Sequence, residues 1–213
     1  KTNAGAVDGI PIGTAGQFLK VNSGATGYEY GAVSSDFVKL HQLNQTSDVN
    51  SVSLDGHFTS DYRIYKLFAE TKLGGSQSND SQIQMKMNHS GSAFSGANYN
   101  WTLNESYISG SASVTNRHGR DDNSFAQLQG TWNLDDAVHD NEYHEITIYN
   151  PLSTSVGKMI KWLGSYAEGS NSIYVSTEGM GYLENTTACT GVTIQRANSN
   201  NLTGVFTLYG LKG

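Results

Sequence analysis

The chain has 213 residues, 37% of them hydrophobic, enough to bury one substantial core or a core with a thin appendage. A net charge of −6 with only 13 Lys and Arg excludes a surface that tracks phosphates, so no nucleic-acid partner is implied. There is no apolar run of about 18 residues and no charged-then-apolar leader, which argues against membrane insertion and against a secretory signal.

Charged residues make up 15% of the chain, against about a quarter in ordinary globular domains, and uncharged polar residues and 24 Gly take their place. With 12 Tyr, 7 Phe and only 2 Pro, this composition suits many short strands joined by tight turns. Residues 1–33 are Gly-dense, with strand patterning only at 18–21 and 28–30. So little apolar surface builds no core, so the segment is either a linker or is ordered by wrapping around copies of itself.

From Asp36 the pattern changes. Residues 37–40 and 52–58 read as short strands, with 42–50 as their polar connection. The run 62–70 has apolar residues on both sides and favours a central strand over a helix. In 82–88, Ile83, Met85 and Met87 alternate with polar residues, a half-buried strand. Further strands are expected at 101–108, 125–132, 143–149 and 159–166, with two shorter ones at 173–175 and 182–183. Two last period-2 runs, Val192–Ile194 and 205–209, flank a polar gap and read as a paired hairpin added to the sheet. About ten strands without a convincing helix predict an all-β fold, an antiparallel β-sandwich of jelly-roll type, at 36–213 after an extended Gly-rich segment at 1–35. No repeating coil of regular length supports a β-helix.

Residues 13–31, GTAGQFLKVNSGATGYEYG, are similar to a short hairpin repeat of bacteriophage tail fibres: a Gly-x-x-Gly-Gln opening, a strand, a Gly-rich turn and an aromatic near the end of the second strand. Tyr30 stands where many members carry Trp. The closing Phe-Thr-Leu-Tyr-Gly-Leu-Lys at 206–212 resembles the ending of fibre head domains. The resemblance covers both ends and implies a homotrimeric virion fibre whose head binds a host cell-surface glycan or protein. Other virion proteins would be its partners. The resemblance implies no catalysis and no cofactor.

Several clusters permit chemistry on paper. Asp135, Asp136, His139, Asp140, Glu142, His144 and Glu145 are hard and borderline metal ligands, yet their spacing fits neither a zincin helix nor a Ca²⁺ loop. A solvated loop is the reading, with Asp135, Asp136 and Asp140 the first candidates if a metal binds. A glycosidase pair could be drawn from Asp121, Asp122, Glu142 and Glu145, but only spatial separation makes such a pair catalytic. No Gly-x-Ser-x-Gly elbow is present. Trp101, Tyr107 and Trp132 lie beside polar stretches as candidate ligand contacts, with packing the competing role, whereas Trp162 reads as core. Cys189 has no partner for an intrachain disulfide and no neighbouring cation, and reads as an inert thiol. The glycosylation triplets at Asn44 and Asn185 are what this composition produces by itself.

Overall fold

The computed structural model describes residues 13–32, 35–74, 82–94, 96, 98–108, 120–121, 124–130, 141–168, 173–197 and 201–212. The chain divides into two compact units, Lys1–Ser35 and Asp36–Gly213.

In the first unit, β1 (Gln17–Val21) and β2 (Tyr28–Ala32) form an antiparallel hairpin with Gln17 opposite Ala32 and Val21 opposite Tyr28. Its turn is closed by Asn22, whose amide N–H donates to the Gly27 carbonyl and whose side-chain oxygen accepts from the Thr26 N–H. Gly13 lies flat against the Tyr30 ring, where a Cβ would come within 2.6 Å of it. Every residue of β1 is exposed. Two five-residue strands with both faces wet do not make an independently stable structure.

The second unit is an antiparallel β-sandwich, and among the described residues there is no α-helix. Its larger sheet has eight strands in the order β3 (Phe37–Val49), β15 (Leu202–Lys212), β5 (Tyr62–Leu73), β11 (Asn141–Tyr149), β12 (Lys158–Glu168), β13 (Ile173–Leu183), β8 (Tyr99–Ile108), β9 (Arg120–Asp121). Its smaller sheet runs β10 (Ala126–Gln127), β6 (Ile83–His89), β14 (Gly191–Arg196), β4 (Ser51–Leu54), with β7 (Ser92–Ala93) added to β6. The chain passes repeatedly from one sheet to the other, and among the described residues β11, β12 and β13 form a meander within one sheet. The core lies between the sheets: Leu67, Ile146, Ile160, Trp162 and Phe206 from the larger, and Val52, Leu54, Met85, Met87 and Ile194 from the smaller, all nearly inaccessible. Alternation of inward and outward side chains along each strand sets this division.

Three expectations are corrected. The two closing strands are not a hairpin: β14 pairs with β4 and β6 in the small sheet, while β15 crosses over and inserts between β3 and β5. Two amphipathic runs joined by a polar gap fit two sheets of a sandwich as well as one. The supposed polar connection 42–50 is, up to Val49, the continuation of β3, an edge strand whose polar residues face water while Leu40, Leu43 and Val49 pack on the core. The expected short strands at 173–175 and 182–183 are the two ends of the single strand β13.

Candidate functional site

The charge-dense stretch read as a solvated loop is only partly described, since residues 131–140 lie outside the described residues. This covers Trp132, Asp135, Asp136, His139 and Asp140. From Asn141 onward the stretch is strand, not loop. Glu142 and His144 sit on β11 in phase with Ile146 and Ile148, so all four point into the core. The Glu142 carboxylate accepts from Arg196 Nη1 at 3.1 Å, Arg196 Nη2 at 2.8 Å and Thr71 Oγ1 at 2.6 Å, a bidentate pair with both side chains fully buried. Beside it, burial above all, together with the Arg196 charge, lowers the His144 imidazole to about 4 against the opposing pull of Glu142. Gly164 leaves room for that ring, because a Cβ there would meet His144 at 2.7 Å.

A second buried acid, Glu105, lies on β8 in phase with Trp101 and Leu103. Its carboxylate rests on Gly130 and accepts a hydrogen bond from the Tyr166 hydroxyl at 2.9 Å. Burial, reinforced by Glu105, pushes the Tyr166 phenol well above its ordinary range. Thr177 Oγ1 donates to the Leu128 carbonyl at 3.2 Å. This polar cluster fixes one end of the core.

The other sequence candidates separate. Trp101 is 6% exposed, on the inner face of β8 among core residues. Tyr107 is half-buried against Tyr166, Ile173 and Val175. Trp162 is fully buried. Glu145 is on the outer face of β11, ion-paired to Lys66, so Glu142 and Glu145 occupy opposite faces of one sheet. Asp121 belongs to the short strand β9, and Asp122 lies outside the described residues. Among the described residues no group of three His, Cys, Asp or Glu could hold a metal ion. Cys189 is buried, and burial pushes its thiol up to about 11 despite the nearby Lys158.

The accessible feature missed in the sequence is the outer face of the eight-stranded sheet. Register places Phe37 opposite Leu211, Leu211 opposite Ile64, Ile64 opposite Tyr149, Tyr149 opposite Met159 and Met159 opposite Tyr182. This is one apolar row across six strands, with Tyr149, Met159 and Tyr182 exposed by 38%, 42% and 36%. The neighbouring rows are wetter and carry the cross-strand ion pairs Lys66–Glu145 and Lys161–Glu178. Where the row passes the end of β11 it borders a cleft of about 330 Å³ lined by Arg63, Ile64, Tyr149, Asn150, Leu211 and Lys212. Asn150 holds the left-handed backbone at this corner, φ 49°, its N–H donating to the Arg63 carbonyl at 2.6 Å and its carbonyl accepting from Ser153 N–H at 3.1 Å. Two other grooves on the same face are more polar, one lined by Glu70, Lys72 and Asn44, the other by Ser106, Ser176 and Glu178.

No family model matches this chain, and no curated protein does. Two solved structures are similar at a low level. One, the structure of infectious bursal disease virus Gt strain, is 7% identical with a TM-score of 0.14, over 91% of this chain and 46% of that one. The other, the infectious bursal disease virus VP2 subviral particle, is 8% identical with a TM-score of 0.16, over 92% of this chain and 46% of that one. The chain therefore spans less than half the length of either, and a likeness of this size assigns neither fold nor function.

Proposed function

We propose that the chain is part of a virion fibre resembling phage tail fibres: a homotrimer whose sandwich head attaches to a host cell-surface receptor or glycan and turns nothing over. The observation that supports this reading is the 13–32 hairpin. Its sequence is similar to the fibre repeat, and it leaves Phe18, Leu19, Val21 and Tyr28 exposed by 46%, 41%, 57% and 70%. A two-stranded ribbon with that much bare apolar surface needs partners, and sister chains intertwined around it supply them. Adhesion by three such heads gains strength from shared geometry, with linkage adding about 10²-fold or more.

The test is light scattering of the intact chain followed by a glycan array and binding to a panel of bacterial cells. A trimer that adheres supports the reading, and a stable monomer removes it. A trimer that ignores every cell surface yet docks onto capsids is a decoration protein instead. Release of reducing sugar from a host polysaccharide would make it a depolymerase.

A further inference from the structure

We propose that the cleft at the end of β5, β11 and β15 binds a carboxylated pyranose, a hexuronate unit of an acidic polysaccharide. The proposal rests on the adhesion reading and names the chemistry of its ligand. At about 330 Å³ the cleft falls at the small end of the range of roughly 300–1,000 Å³ seen for ligand sites. Its floor is apolar, made by Ile64, Leu211 and the partly exposed Tyr149 ring, the kind of surface on which the C–H face of a sugar packs. Its rim is cationic. Arg63 and Lys212 both line it, no carboxylate does, and neither forms an ion pair among the described residues.

Asp36 and Asp61 lie near in register and sequence but do not line the cleft, so its own lining carries two cations and no acid, which favours an anion. Arg63 presents the planar fork that matches a carboxylate, Lys212 adds a second donor, and the Asn150 amide can serve ring hydroxyls. A neutral sugar would leave both cations without a partner, and a bare phosphate would leave the apolar floor uncovered. Met159 and Tyr182 continue the apolar row beyond Tyr149 and offer the adjoining sugar rings a surface, so the fitting ligand is a chain rather than a monosaccharide.

The experiment titrates the full chain calorimetrically with tetragalacturonate, its methyl ester and maltotetraose. Tetragalacturonate is expected to bind roughly tenfold or more tightly than the other two, and to weaken as salt rises. The double variant Arg63→Gln/Lys212→Gln loses that preference at an unchanged melting temperature; Tyr149→Ala weakens binding and Tyr149→Phe does not. Ester bound as tightly as acid, or a double variant that binds the acid like the parent, overturns the proposal. So does an assembled protein whose Lys212 is shielded from an acetylating reagent, because a second copy then fills the cleft. Cell adhesion separates the two levels: parent and double variant adhering equally sink the cleft and leave adhesion standing, whereas a parent that adheres to no cell sinks adhesion, and the titration alone decides the cleft.

Discussion

Arg196 and Glu142 share a fully buried ion pair, and the asymmetry of such pairs sets what substitution does. Arg196→Met strands a carboxylate in the core, so it is expected to cost about 3–5 kcal/mol in urea unfolding, while adding Glu142→Leu restores most of the loss. His144 gives a pH dependence with a definite sign. Its folded pKa of about 4 lies below its ordinary 6.5, so between those values the unfolded chain binds the extra proton. Stability is then unaffected above about pH 6.5 and falls as the pH drops towards 4, by up to about 3 kcal/mol. Denaturation midpoints from pH 4 to 7 should show this slope for the parent and a flatter one for His144→Gln. These residues were legible in one respect only: Glu142 and His144 keep the inward phase of Ile146 and Ile148, as Arg196 keeps that of Val192 and Ile194. The charges themselves read as solvent-facing, because partners distant in sequence such as Glu142 and Arg196 leave no local trace.

At the scale of elements, β13 shows how composition misleads. Gly179 and Gly181 occupy inward positions, and the Trp162 indole lies over them, so close to Gly179 that a Cβ there would collide with the ring and with the Thr102 carbonyl. In the sequence the glycines look like strand ends. In the sandwich they are the space into which the largest core side chain fits. Gly179→Ala is therefore expected to lower stability by about 1–3 kcal/mol, read from the urea midpoint, with larger side chains costing more. Strands with strict alternation, β6 and β11 above all, were legible from the pattern itself; β11 has the wet outer face this implies, whereas β6 does not, because its polar Gln84 and Asn88 are buried along with Ile83, Met85 and Met87. The edge strand β3 was legible only at its start, 37–40, and not in its continuation, since a strand with one neighbour carries the polar residues of a loop. The apolar row on the outer face was equally hidden: each strand contributes a single member, and only register lines them up.

At the scale of the whole molecule the two units make different demands. The sandwich has its own core, whereas the hairpin has none among the described residues. Light scattering is expected to return three times the chain mass of 23.0 kDa. Removal of residues 1–35 is expected to weaken that assembly while the remaining unit keeps its cooperative unfolding, which calorimetry would register as an unchanged transition.

The placement of β15 bears on how the molecule is made. Asn50 and Asn201, 151 residues apart, share a hydrogen bond, and among the described residues β3 touches the rest of its sheet through β15 alone. During synthesis β3 therefore emerges first among the strands of the sandwich and then waits, its hydrogen-bonding edge bare, until almost all the rest of the sandwich has left the ribosome. Such late closure makes for slow folding and a long exposure to mispairing with other nascent copies. Covering the bare edge of β3 until β15 arrives, or slowing synthesis so that each chain closes on itself first, is therefore expected to raise the yield of folded protein.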